Sequence, residues 1–435
     1  MSLLLLLIGG RGAPAYIPPA LKFEAAFGYS WRDEAPVFTD ITPWVDRSAT
    51  ISIHTGRSDE ISAFEAGTCS WRLDNSDRDF DPTNTTGPWY GELLVLTPVR
   101  VTATFQEVDY PLFYGYVEGW PQGYEGTGNQ LAYADMAATD ALGLFAEAEL
   151  GVGLWTLDDP VLGRLDAGNI IGGTGTGIAE LSGARVARIL NLTDWPQALR
   201  LLDDGLTPLA AKDLTGTPRD ELEAAATSEG GALYADPSGR VVFLDRHAVR
   251  REARMATAQA TFTDADFSMP YTSVRFAYDR RHVYNDVRRQ RDGGTPQSAI
   301  DTDSRRRYFR RRHELTGLGM TTDTAAKTLA DLFLELHREP SLRAEPLSID
   351  PGNSPTVLFP QILGRALLDQ IALTRTPQAA GGSIDQAVRL EGIDHQIEQF
   401  AWQTTWSTSP VDQRTYWTLD DPVLGLLDAG NLVGA

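Results

Sequence analysis

The sequence predicts a mainly β, multi-domain protein with α+β insertions, and three observations carry that reading. Residues 43–133 and 356–409 alternate apolar and polar side chains between Gly, Pro, Asn and Asp, the period-two pattern of half-buried antiparallel strands. The chain holds 40 Gly and 25 Pro beside 10 Trp, 14 Tyr and 16 Phe, a balance that suits aromatic strands joined by many turns. Its 435 residues leave room for about three separate cores.

The opening MSLLLLLIGG has no basic flank, and its apolar run is too short for a signal peptide or a membrane span. Residues 1–15 therefore read as a strand or docking arm that packs on its own domain or on a neighbouring subunit, and no stable membrane insertion is expected. In the β region that follows, ATISIHTG, TCSWRLDN, VRVTATF and PLFYGYVEGW are strand-like. Ala134–Leu150 is Ala-rich with apolar residues at helical spacing, and the next glycines mark the end of a first domain, 16–150.

Residues 151–180 read as a linker, because GGTGTG (172–177) has no preceding strand and lacks the third glycine of a phosphate-binding fingerprint. Leu181–Leu190 and Pro218–Ser228 are expected helices, the second capped by Thr217 with Pro218 in its first turn. GGALYADPSGRVVFLDR follows as a hairpin, giving a small α+β unit over 181–258. Strands resume in SVRFAYD and HVYNDVRRQ. A helix over Thr324–His337 has apolar positions at Ala326, Leu329, Ala330, Phe333 and Leu336, and Pro340 stops it. The 259–350 segment is expected to help complete a second β domain at 351–410, which leaves a tail at 411–435.

One repeat interrupts this order. WTLDDPVLGRLDAGNIIGG (155–173) and WTLDDPVLGLLDAGNLVGA (417–435) share fifteen of nineteen residues. A segment this short cannot hold a fold in water, so it reads as a duplicated docking peptide. Its anchors are Trp155, Leu157, Val161 and Leu162 in one copy and Trp417, Leu419, Val423 and Leu424 in the other.

Chemistry is sparse. Six histidines are scattered without a metal-binding spacing, and the lone Cys69 sits in a strand, so catalytic, cofactor and metal assignments are all none. Asp77, Asp79 and Asp81 alternate and could offer oxygens to Ca²⁺, but a turn that bonds to its own backbone is the plainer reading. The net charge of −21 opposes nucleic-acid or anionic-membrane binding overall. Against it stands a strip from Arg275 to His313, with twelve arginines against five aspartates. Arg305, Arg306 and Arg307 are its candidate partner-binding residues, placed at an intersubunit contact, with nucleic acid or another acidic partner as the alternative.

Several segments together resemble the hub proteins of long-tailed bacteriophages, also called minor tail or tail-tip proteins. They are GRSDEISAFEAGTCSWRLDNSDRDFDP (56–82), PLFYGYVEGWP (111–121), ATDALGL (138–144), EGGALYADPSGRVVFLDR, YNDVRRQRDGG and EGIDHQIEQFAWQTTWSTSP (391–410). The resemblance implies two tube-like β-barrel domains, 16–150 and 351–410 with help from 259–350, beside the small α+β domain. It implies a homotrimer closing the tail tube beneath a distal tail protein hexamer. Further partners would be the tape measure protein, the other contact at which Arg305, Arg306 and Arg307 are placed, and tail-tip or fibre proteins, with genomic DNA passing through transiently. The site would be the tip of the virion, after synthesis in the host cytoplasm. The chain stops soon after the last β region, leaving no room for a C-terminal lysin or fibre, so no enzymatic role is expected. A receptor-binding tip module and a cell-wall hydrolase are the competing readings.

Overall fold

The computed structural model describes residues 18–126, 131–150, 179–265, 268–379 and 381–411. The N-terminal arm and both copies of the repeat, with all eight of its anchors, lie outside the described residues.

Fourteen strands form one continuous sheet. Its first half comes from Ala20–Ala25, Thr39–Asp40, Ile51–Gly56, Glu65–Asp74, Pro98–Phe105, Val108–Val117, Gly123–Glu125 and Leu131–Thr139; its second from Thr261–Thr263, Ser273–Tyr278, Leu342–Ile349, Gln370–Arg375, Ile384–Glu398 and Ala401–Pro410. The halves meet where Ile51–Gly56 pairs antiparallel with Ile384–Glu398 in the register Ile53↔His395 and His54↔Asp394. The mainly β, multi-domain reading holds. Barrel closure is not found among the described residues, where the strand order is an open path; the isolated bridge Val45↔Leu73 is the nearest approach to it in the first half.

Residues 134–139 are strand, not the expected helix. Ala134, Met136 and Ala138 are buried while their neighbours are not, a period of two that small side chains disguise in the sequence. The helix begins only at Ala141–Glu147, where Asp140 accepts from the backbone N–H groups of Leu142 (2.8 Å) and Gly143 (3.4 Å).

The expected α+β unit is present. Ser182–Leu192 and Pro218–Glu229 are its helices, the second capped by the Thr217 hydroxyl and closed by Gly230 in the left-handed region at φ +71°. Ala232–Ala235 and Val241–Leu244 make the hairpin, and Arg200–Leu202 adds a parallel strand. A second α+β unit was not anticipated. Asp286–Arg291 leaves the large sheet to pair with Gln297–Ile300 and Arg312–Leu318, and helix Asp323–His337 packs across them.

Helix Pro355–Gly364 lies inside the block read as alternating strands. Its sequence PTVLFPQILG buries one face, Leu358, Phe359, Ile362 and Leu363, as a wedge between the sheet halves, while the apolar Val357 and Pro360 off that face mask the helical period in the sequence. Phe359, fully buried, meets Phe105 of the first half at 5.1 Å and Trp402 of the second at 5.5 Å between ring centroids. One apolar core therefore runs through both halves.

Candidate functional site

A cleft of about 970 Å³ opens where the four parts converge. Its walls come from the 57–64 loop, the first α+β unit, the second α+β unit and the end of the sheet at 409–411. The apolar lining includes Phe64, Leu233, Leu329, Phe333 and Leu336. Phe333 and Leu336 belong to the apolar stripe read from the sequence, but only Ala326, Leu329 and Ala330 of that stripe are buried, and Leu336 is 42% exposed at the cleft.

Most charges on these walls are already paired. Arg57 Nε donates to Glu391 Oε2 at 2.8 Å, Arg246 Nε to Glu229 Oε1 at 3.0 Å, and Arg343 grips both oxygens of Glu60. Arg289 differs. It is 1% exposed, it has no carboxylate partner among the described residues, and its Nε has no hydrogen-bond partner. Its guanidinium lies 4.7 Å from the Phe333 ring centroid, and Nη1 reaches only the carbonyls of Arg288 and His313 and the His313 ring. Burial without a counter-charge holds its pKa down to about 10.

Histidines that are far apart in sequence meet here. His313 stacks on Phe333 at 4.4 Å and His337 lies 4.3 Å from the same ring. Burial lowers both to about 4, so both are neutral at pH 7. His282 Nε2 stands 3.7 Å from Asp59. Asp59, Glu60 and His282 bring one ligand atom each within 4.8 Å of one another, the spacing of a metal site. Both carboxylates are committed, however. Glu60 is bound by Arg343, and Asp59 Oδ1 accepts from Ile61 N, Ser62 N and Ser62 Oγ. A cation would have to displace an arginine and a turn, so the arrangement suits an ion-pair network better than a metal. No spacing rule could find this cluster, whose members come from two distant segments, 59–60 and 282.

The sequence-derived candidates fall elsewhere. Arg305, Arg306 and Arg307 lie on helix Thr302–Tyr308, where Arg306 pairs with Asp303 (3.2 Å), Arg307 with Glu339 (3.5 Å), and Arg305 makes no ion pair among the described residues. Much of the strip around them is answered within the chain. Arg281 pairs with Asp279, Arg291 with Asp323, Arg310 and Arg312 both reach Asp286, and Arg311 donates to the Val283 carbonyl. Of the aspartates at 77, 79 and 81, Asp81 serves the turn. Asp81 caps Thr83 and pairs with Arg78, and Asp79 accepts from the Trp44 indole at 3.2 Å. Cys69 is buried in the core, where burial pushes its thiol far up.

A continuous, mainly antiparallel sheet carrying two α+β units around a shared cleft is a fold similar to those of two solved tail proteins. Over 90% of its length the chain superposes on a tail protein from Neisseria meningitidis MC58 at a TM-score of 0.55 and 12% identity, covering 97% of that structure. It superposes equally widely on the 43 kDa tail protein of prophage MuSo2 from Shewanella oneidensis, at a TM-score of 0.51 and 12% identity, again covering 97% of that structure. At this identity the likeness is one of fold. No protein-family model and no curated protein sequence matches the chain. Among the described residues no helix is long and apolar enough to cross a membrane.

Proposed function

We propose that the chain is a non-enzymatic structural hub of a phage tail tip, a homotrimer that closes the distal end of the tail tube and forms part of the DNA-ejection channel. The observation that supports this most is the fold likeness to two phage tail proteins over nine-tenths of the chain. In this reading the hub sits beneath a hexameric distal tail ring, contacts the tape measure protein above and tail-tip or fibre proteins below, and offers DNA an acidic lumen. The charge of −21 favours weak binding along such a path. The two repeat copies per trimer chain would supply six docking peptides, enough to meet six equivalent grooves on the distal ring or on the hub itself. Mass photometry of the recombinant chain, alone and with the distal ring protein, tests the assembly. A trimer is expected; a chain that stays monomeric in both conditions overturns the reading.

A second reading, a receptor-binding tip module, draws on exposed aromatics. Phe309 is 83% and Phe400 81% exposed. A pull-down on host surface polysaccharide separates the two, since a hub with no receptor role leaves the polysaccharide unbound.

A further inference from the structure

We propose that the cleft is the receptor groove for the chain's own C-terminal repeat, with Arg289 as the counter-charge for the Asp420–Asp421 pair. This rests on the docking-peptide reading for the C-terminal copy alone, replaces the six equivalent grooves by one cleft per chain, and does not require that the chain trimerise.

Three observations converge on this occupant. The first is where the chain goes. Ser409, Pro410 and Val411 line the cleft, and Val411 is the last described residue, so the 24 residues of 412–435 leave directly from its wall. Nine residues separate Val411 from Asp420, a reach of up to about 30 Å, so Trp417 and the aspartates can return into the opening without strain. A segment tethered at the rim also meets the groove at high effective concentration.

The second is charge. Residues 412–435 carry Asp412, Asp420, Asp421 and Asp428 against the single Arg414. On the cleft wall Arg289 is buried, lacks any carboxylate among the described residues and has an unbonded Nε. A buried guanidinium without an anion is costly, and an entering carboxylate would relieve that cost. The neighbouring His313 and His337 are neutral, so they add no second cation and leave Arg289 as the charge to be matched.

The third is shape chemistry. Phe64, Leu329, Phe333 and Leu336 give an apolar lining beside the arginine, and the segment presents Trp417, Leu419, Val423 and Leu424 around its acidic pair. An aromatic anchor with flanking aliphatic side chains and one desolvated ion pair is the usual composition of a tight peptide contact. The internal copy has the same anchors, but the described chain ends in the cleft only at Val411.

The test uses the full chain with a photoreactive benzophenone amino acid in place of Leu336, an exposed position at the cleft where folding should be unaffected. After irradiation and trypsin digestion, mass spectrometry should find the crosslink on the peptide 415–435, and mixing isotope-labelled with unlabelled chains should show it within one chain. Asp420→Asn with Asp421→Asn, which leaves the tryptic peptide intact, should lower that crosslink about tenfold, since the charge-assisted pair is lost. Crosslinks to the internal copy, to a second chain, or to neither repeat overturn the proposal, as does a yield that ignores the loss of charge. The oligomeric state read in the same samples reports separately on the hub assignment.

Discussion

Three histidines make the stability of this protein depend on acid. Burial holds His313, His337 and His395 each near 4, below the ordinary value of 6.5. Between those values the unfolded chain binds more protons than the folded one, so stability is full above pH 6.5 and falls as the pH drops through the window to 4. His395 is wholly buried, beside Trp402 and with its Nδ1 2.9 Å from the Thr404 hydroxyl, and on its own contributes roughly 3 kcal/mol to that fall. Asp140 acts in the opposite sense. Burial lifts its carboxyl to about 6 despite the amides of Gly67, Leu142 and Gly143, so it gains stability as the pH falls from 6 toward 3.8. His54, raised by its hydrogen bond to Asp394, contributes stability that is present at pH 6.5 and below and is lost on the alkaline side. Three histidines outweigh one carboxyl, and a falling thermal midpoint from pH 6.5 to 4 is the expected outcome. His395→Asn should make that fall shallower; an unchanged slope in a pH series of thermal unfolding would count against this assignment. At this scale the sequence was legible where a residue's partners are local. Thr217 as a cap and Cys69 as a core residue could be read directly. Arg289, His313 and His337 could not, because what distinguishes them is which charges the tertiary fold withholds.

At the scale of elements, the seam between Ile51–Gly56 and Ile384–Glu398 holds the two β regions together, and its polar fastening is Arg57 with Glu391. Glu391 is fully buried and is bonded by Arg57 and by the Ser409 hydroxyl. Arg57→Ala should cost about 3–5 kcal/mol by leaving a buried carboxylate without its cation, whereas Arg57→Ala combined with Glu391→Gln should recover part of it. Urea denaturation of both variants checks this, and equal losses would show that the ion pair is not what matters. Gly56 is held in place for a different reason. Its φ is +104°, and a side-chain carbon there would come within 2.3 Å of the Glu391 carbonyl oxygen. The wedge helix makes a second fastening. Phe359→Ala should destabilise by about 3–5 kcal/mol, since it empties a site packed from both halves, and a single unfolding transition should persist because the core is shared. Strands with clean alternation were legible in the sequence, including Pro98–Phe105 and Ala401–Pro410. The Leu131–Thr139 strand was not, because Ala134, Ala137 and Ala138 blur the contrast between its faces. The wedge was missed because Val357 and the prolines at 355 and 360 blur the helical spacing of its buried face, Leu358, Phe359, Ile362 and Leu363.

For the whole molecule, composition and alternation were enough to read a mainly β chain with α+β insertions, and the order of motifs pointed to tail hubs. What they could not show was that the two β regions share one sheet, since pairing across more than 300 residues leaves no local mark. Assembly belongs to this scale as well. If Arg305, Arg306 and Arg307 meet an acidic neighbour, their replacement by Glu should prevent particles from forming while leaving the isolated chain folded, because Arg306 and Arg307 have only exposed intrachain partners of little worth. Electron microscopy of particles from a complementation assay gives the readout. Particles that assemble but fail at DNA ejection would place the strip in the DNA path instead.

The seam also sets a schedule for synthesis. His54 and its partner Asp394 lie 340 residues apart, which at about 5–20 residues per second takes the ribosome roughly 20–70 s to span. Throughout that interval the Ile51–Gly56 strand has one side bonded to Glu65–Asp74 and the other open, a bare edge on a nascent chain. Helix Pro355–Gly364 and the strand that closes the seam emerge together near the end. The stretch from residue 355 onward therefore turns an aggregation-prone precursor into a closed seam.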